Sequence, residues 1–312
     1  MSKVPNSRKW HRSLTIAGGG RNLMDPRQRI DQALERALGR TTAPGAPPLL
    51  AQAMRHAVFP GGGRFRPRLT LGVALACGDD APELTDAAAV AIEMLHCASL
   101  VHDDLPCFDD ADMRRGQPSV HKAFGEPLAV LAGDGLILLS FQNLAEAAAL
   151  HPQRLGTLVS LVADAVGVPN GIVAGQAWES EPEVEINDYQ RAKTAALFAA
   201  ATMAGAAAAG GVAADWRILG ERLGEAYQVA DDLRDVASDP ETLGKPVGQD
   251  AALGRPNAVA QFGVAGAVGR LKGLIDEAVT SIPDCAGAQA LRALIRKESE
   301  SFLPQALASY AA

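Results

Sequence analysis

Apolar residues recur at helical spacing along almost the whole chain. Ile30, Leu34, Ala37 and Leu38 fall at i, i+4, i+7 and i+8. Leu49, Leu50, Ala53, Met54, Ala57 and Val58 make a second such face. Pro60-Gly61-Gly62-Gly63 stops that helix, and Pro67 is placed to start the next. A long helix is expected after Thr85 or Asp86, carrying Ile92, Leu95 and Ser99 toward His102. Pro127 opens another that runs through Phe141 and Leu144. Asn187 and Gln190 have capping-box spacing ahead of an Ala-rich helix, and Asp215 is a candidate cap for a helix reaching Val236. Pro- and Gly-rich loops occupy positions 238–256, and two more helices follow. Alternating runs of Val, Ile, Thr and aromatics closed by Asn-Gly or Asp-Gly turns are missing. The pattern predicts an all-α protein, a bundle of about ten or more helices. No composition shift or solenoid repeat divides it, so residues 25–312 read as one helical domain.

Composition narrows the function classes. Of 312 residues, 48% are hydrophobic and 21% charged, which is the balance of a soluble globular protein and excludes whole-chain disorder. A net charge of −7 and an aromatic content of 4% argue against a nucleic-acid partner. Cys77, Cys97, Cys107 and Cys285 form no CxxC pair and no zinc spacing; they read as reduced thiols of a cytoplasmic protein. The first 24 residues carry Lys3, Arg8, Lys9, Arg12 and Arg21 without any acid. No apolar run follows that would complete a signal peptide, so residues 1–24 read as a disordered basic tail, or as an over-long start with Met24 as the initiator. The uncharged stretch from Ala195 to Ala214 is long enough to span a bilayer. It is mostly Ala and Gly, with Leu197, Phe198, Met203 and Val212 as its larger apolar groups, and reads as a buried core helix; no transmembrane segment is expected.

Two acidic clusters carry the chemistry. The first runs His102-Asp103-Asp104-Leu105-Pro106-Cys107-Phe108-Asp109-Asp110-Ala111-Asp112-Met113-Arg114-Arg115-Gly116. The second is Tyr227-Gln228-Val229-Ala230-Asp231-Asp232-Leu233-Arg234-Asp235, where Asp231 and Asp235 share a helix face at i, i+4. A straight helix would put Asp103 and Asp109 on different faces, so Pro106 must mark a helix end or loop that brings Asp109 back. Crowded carboxylates repel unless solvated or neutralised by cations. Hard oxygen donors without His or Cys suit Mg²⁺, which binds through a few carboxylates and keeps places for water and phosphate. Arg114-Arg115, Lys193-Thr194 and Lys245 supply the basic groups, and acid, metal and base together describe a diphosphate site. His102 and His121 read as hydrogen-bonded neighbours rather than catalysts, and Trp178 and Trp216 as packing residues. Gly61-Gly62-Gly63 lacks Walker spacing and reads as a tight turn that lets Arg64 and Arg66 face the site.

These motifs resemble the trans-isoprenyl diphosphate synthases over residues 27–305. The match takes in both aspartate motifs, Arg64-Phe65-Arg66-Pro67, His96, Leu131-Ala132-Gly133-Asp134, Lys193-Thr194 and Gly244-Lys245-Pro246-Val247-Gly248. Ala-Gly-Gln-Ala-Trp-Glu-Ser at 174–180 and Arg255-Pro256-Asn257-Ala258-Val259 look most like the bacterial geranylgeranyl diphosphate synthases of carotenoid and bacteriochlorophyll pathways.

The resemblance implies helices around a central active-site cavity, a homodimer, and Mg²⁺-dependent condensation of isopentenyl diphosphate with allylic diphosphates. Asp103, Asp109 and Asp231 would hold three Mg²⁺ ions, supported by Asp104 and Asp235. Arg114, Lys193, Thr194, Gln228, Lys245 and Arg255 would contact the allylic substrate, and Arg66, His96 and Arg115 isopentenyl diphosphate. Farnesyl or longer products, or a low-activity regulatory subunit, are the alternatives.

Two positions depart from the family pattern. Gly63 stands where the family usually has Lys, so one isopentenyl diphosphate contact is missing or comes from Arg64; Arg255 replaces a Lys. Chain length is expected to be set by a tunnel wall of Ser99 and Ala98, then Leu95, then Ile92 and Ala91, and the small Ala98 favours a C20 product over C15.

Overall fold

The computed structural model describes residues 25–59, 62–181, 194–237, 257–304 and 307. Twelve α-helices occupy them: α1 (Pro26–Leu38), α2 (Pro48–Val58), α3 (Phe65–Cys77), α4 (Pro82–Asp103), α5 (Val120–Phe124), α6 (Glu126–Ala147), α7 (Pro152–Val166), α8 (Ile172–Ala177), α9 (Ala196–Ala208), α10 (Arg217–Ala237), α11 (Ala258–Thr280) and α12 (Ala288–Ser299). The all-α expectation holds, with one addition. Met113–Arg114 and Gln117–Pro118 pair as a two-residue antiparallel hairpin, β1 and β2, after the first acidic motif. A strand so short leaves no alternating pattern to detect.

Local chemistry explains about half of the helix starts. Asp25 caps α1 by accepting from the Arg27 amide at 3.0 Å, with Pro26 at the first helical position. The Asn257 side chain accepts from the Val259 amide at 2.8 Å and caps α11. Proline again opens α4, at Pro82, ahead of the expected Thr85 or Asp86, because its fixed φ suits the first turn. Helix α3 begins at Phe65, two residues before Pro67, after Arg64 turns the chain at φ 51°. Asp215 lies in a 3₁₀ turn, Ala213–Trp216, ahead of α10. The 1–24 tail, Asn187 and Gln190, and the 238–256 loops lie outside the described residues.

Helix α4 is the axis of the molecule. One side packs with α1, α2 and α6 through Val90, Met94, Cys97, Ala98 and Val101. Another packs with α6, α7 and α9 through Leu84, Ala88, Ala91, Ile92 and Leu95. The Ala-rich segment is the buried helix α9, 13 residues and about 20 Å long, short of the bilayer core of about 30 Å. Its small residues permit very close packing. A Cβ on Gly220 of α10 would lie 2.4 Å from the Ala199 Cα, so any larger residue there pushes α9 and α10 apart. By length and composition alone, α4 and the α6 region Glu126–Leu150 could cross a membrane; α4 is mostly buried within the protein.

Candidate active site

The first acidic motif begins where α4 runs out. Asp103 is its last residue, and Leu105-Pro106 turns the chain. The loop folds back as the sequence requires: the Asp109 amide donates to the Asp103 carbonyl at 3.0 Å, and the Asp110 amide to the Leu105 carbonyl at 3.1 Å. The return is tight enough to put Asp110 at φ 44°. His121, almost fully buried, sits 3.6 Å from the Asp110 carboxylate and 3.1 Å from the Ser119 hydroxyl, and Lys122 pairs with Asp110 and Asp112. Beneath Asp103, the His102 ring lies flush on α6. A Cβ on Gly133 would come within 2.1 Å of its Nε2, which also approaches the Val130 carbonyl at 3.3 Å. His102 and His121 are thus braces of the motif.

The paired aspartates divide their roles. Asp104 is buried, and both its oxygens accept from Arg114 Nε, at 2.9 and 3.2 Å, with Arg114 Nη2 closing the bidentate pair. Burial pushes the Asp104 carboxyl up against the pull of Arg114; burial also opposes the charge on Arg114, but Asp104 outweighs it and the guanidinium is held more firmly cationic. Asp104, expected to support the metal ions, has its oxygens engaged in aiming Arg114. That guanidinium in turn lies in the field of Asp103 and Asp109.

The second motif repeats the division. Asp232 is buried and accepts from the Ala258 amide at 2.7 Å, tying α10 to the start of α11. Gln228 Nε2 donates to Asp232 at 3.3 Å, and the Thr194 hydroxyl donates to Gln228 at 3.2 Å. Thr194 and Gln228, both expected at the allylic site, are thereby joined in one chain of hydrogen bonds. Asp232 was not singled out from sequence, though its i, i+4 spacing from Gln228 is legible there. Asp231 and Asp235 lie on the partly exposed side of α10, where Asp231 pairs closely with Arg234.

The basic half of the site sits at the start of α3 and on the hairpin. Arg66 stacks on Phe198 (4.4 Å to the ring centre) and Tyr227 (5.5 Å), and its Nε is buried without a hydrogen-bond partner. Burial pushes its guanidinium down, while Tyr227, Glu93 and Asp231 pull the other way. Both Arg66 and Arg115 point a guanidinium nitrogen at His96 Nε2, at 3.4 and 3.3 Å.

Arg64 does not join them. Its side chain is 1% exposed, paired at 2.5 Å with Glu93 (3% exposed), at 3.2 Å with Asp31, and donating at 2.9 Å to the Val58 carbonyl. The expectation that Arg64 faces the site and replaces the missing Lys is therefore corrected: a buried carboxylate on α4 draws it inward. The proposed tunnel wall is also divided. Ala98 packs on the α1–α2 side of α4, and Leu95, Ile92 and Ala91 on the α7–α9 side; Ser99 is partly exposed. Lys193, Lys245 and Arg255 lie outside the described residues.

The sequence profile described as polyprenyl synthetase matches residues 47–288. The chain belongs to the polyprenyl synthetase family. It is similar to geranylgeranyl diphosphate synthase of Cereibacter sphaeroides, 56% identical over 90% of this chain and 98% of that protein. It is also similar to geranylgeranyl diphosphate synthase of Rhodobacter capsulatus, at 53% over 86% and 93%. Its fold resembles the crystal structure of geranyltransferase from Helicobacter pylori complexed with magnesium and isoprenyl diphosphate. There the TM-score is 0.71 and the identity 28%, covering 90% of this chain and 100% of that one. In this chain Arg66 feels both Asp231 from α10 and Arg115 from the hairpin.

Proposed function

We propose that this polyprenyl synthetase condenses isopentenyl diphosphate with dimethylallyl, geranyl or farnesyl diphosphate and releases geranylgeranyl diphosphate. The observation that carries the reading is the cationic cluster in which Arg66 and Arg115 both aim at His96 Nε2, at 3.4 and 3.3 Å, with Arg114 held by Asp104 next to it and the first acidic motif folded back so that the Asp109 amide meets the Asp103 carbonyl. The identity to two geranylgeranyl diphosphate synthases supports the C20 product.

Asp103, Asp109 and Asp231 would hold three Mg²⁺ ions, with Asp235 in support. Among the described residues no three carboxylate, imidazole or thiol side chains converge as a ready-made cage. Carboxylate oxygens suit Mg²⁺, which one or two of them can hold while phosphate oxygens and water complete its shell. Bound there, Mg²⁺ would neutralise the charge that grows on the departing diphosphate.

The protein's own groups do the rest. Arg114, aimed by Asp104, offers donors to the allylic diphosphate, as do Thr194, Gln228, Lys193, Lys245 and Arg255. Arg66, Arg115 and His96 orient the diphosphate of the homoallylic partner so that its double bond meets the allylic cation. The proton released afterwards passes to the freed diphosphate, and closure of the cleft keeps water from the cation. The exposed apolar side chains Val130, Leu131 and Leu138 on α6 favour a homodimer packed through that helix. We place the enzyme in the cytoplasm.

Incubating purified protein with Mg²⁺, isopentenyl diphosphate and each allylic starter tests the reading by product chromatography. C20 prenol after dephosphorylation is the expected product. C15, or C30 and above, would overturn the chain length, and no turnover from any starter would leave the regulatory-subunit reading in its place.

A further inference from the structure

His96 is held in an unusual position for a group that meets an anion. A guanidinium can only donate, so Arg66 and Arg115, at 3.4 and 3.3 Å, both aim N–H groups at the lone pair of His96 Nε2. That geometry requires a neutral ring with its proton on Nδ1. The strongest charges acting on it are all cationic: Arg64 and Arg66 from the start of α3, Arg114 and Arg115 from the hairpin. Two neighbouring carboxylates act on the arginines. Glu93, one turn back on α4, is paired with Arg64, and from α10 Asp231 and Tyr227 act on Arg66. Burial, then these four cations, hold the imidazole well below its ordinary range.

A diphosphate docking on Arg66 and Arg115 reverses each of these influences. It takes the two guanidinium donors as its own ligands, because charge-assisted bonds to phosphate oxygens are stronger than bonds to imidazole. It frees the Nε2 lone pair and replaces a positive field with a negative one. We propose that docking of the homoallylic diphosphate is coupled to uptake of one solvent proton at His96 Nε2, so that the imidazolium becomes a third cationic contact to the phosphate. This rests on the assignment of Arg66, His96 and Arg115 to isopentenyl diphosphate. The proton comes from bulk buffer, the new bond is Nε2–H, and no covalent bond to the ligand forms. Binding would then weaken as pH rises through the bound-state pKa of His96, by up to about tenfold per pH unit.

Isothermal titration of the full chain with isopentenyl diphosphate alone, which cannot turn over, tests the coupling. Repeating it at pH 7.5 in PIPES, HEPES and Tris gives the number of protons exchanged from the slope of heat against buffer ionisation enthalpy. The wild type is expected to take up about one proton more than His96→Gln, the ligand's own protonation being common to both. Equal slopes in the two proteins would overturn the proposal while leaving the isopentenyl diphosphate site intact. No binding heat in the wild type at any pH would overturn both. A ¹⁵N-histidine spectrum of the wild type keeps the test open should the variant fail to fold. The His96 ring should change from one protonated nitrogen to two when isopentenyl diphosphate is added, and an unchanged ring in the saturated complex would refute the proposal.

Discussion

Replacing Glu93 with Ala separates two possible duties of Arg64. In the structure Arg64 and Glu93 are both buried, with 2.5 Å between guanidinium and carboxylate; Arg64 also meets Asp31 at 3.2 Å, the Val58 carbonyl at 2.9 Å and the face of Phe59 at 5.4 Å. Removing one member of a buried pair leaves a desolvated charge behind and costs about 3–5 kcal/mol. Asp31 is 38% exposed and remains in place with the carbonyl, so the loss should fall at the lower end, about 3 kcal/mol. That corresponds to roughly a hundredfold change in the folding equilibrium. Equilibrium urea denaturation reads the loss directly. The same protein, assayed at a temperature where it remains folded, should keep its KM for isopentenyl diphosphate within about twofold, because neither residue touches that ligand. A stability loss under about 1 kcal/mol would refute the buried-pair argument. A tenfold rise in KM at unchanged stability would return Arg64 to the substrate site.

Three further outcomes follow from the same geometry. Ser99 is partly exposed while Ala98 is packed in the core. Ser99→Phe should therefore shorten the product without unfolding the protein, whereas Ala98→Phe overpacks and costs about 1–3 kcal/mol; a C20 product from Ser99→Phe, by chromatography, would contradict this. A Cβ at Gly63 meets nothing within 4 Å, so Gly63→Lys fits, and titration calorimetry should show isopentenyl diphosphate binding up to about fivefold tighter, roughly 1 kcal/mol for one exposed cation; an unchanged dissociation constant would show that no contact is missing there. Burial pushes the Cys97 thiol up to about 12 and the Cys77 thiol up to about 11, and Cys107 is exposed. A disulfide reagent at pH 8 should find a fast thiol that is lost in Cys107→Ser, and equally fast reaction of Cys97 would contradict the packing.

The sequence was most legible where chemistry is local. Helical periodicity, the two acidic clusters and the turn at Pro106 follow from spacing, and the return of Asp109 to the Asp103 carbonyl bears out the argument from helix geometry. What spacing could not reveal is which member of each aspartate pair faces inward. Asp104 and Asp232 are distinguished from Asp103 and Asp231 by Arg114 and by the Ala258 amide, partners 10 and 26 positions away that only the fold brings together. Arg64 is the instructive miss. The stretch Ala91-Ile92-Glu93-Met94-Leu95 places one carboxylate in an apolar helix, and a buried acid needs a cation. That signal was present, but a basic residue beside a family motif reads more easily as a ligand. The expected tunnel positions separate for a related reason: residues three apart on α4 lie about 60° apart around the axis, enough to put Ala98 and Leu95 against different neighbours.

The two acidic motifs, one at the end of α4 and in the loop after it and one on α10, are expected to share metal ions around a substrate diphosphate. Crystals grown with Mn²⁺ in place of Mg²⁺ and a non-ionisable thio-diphosphate analogue of the allylic substrate test it through anomalous scattering. The account predicts peaks between the carboxylates of Asp103 and Asp109 on one side and Asp231 on the other, each within bonding distance of the analogue's phosphate oxygens. Analogue density with no anomalous peak at either motif would contradict it.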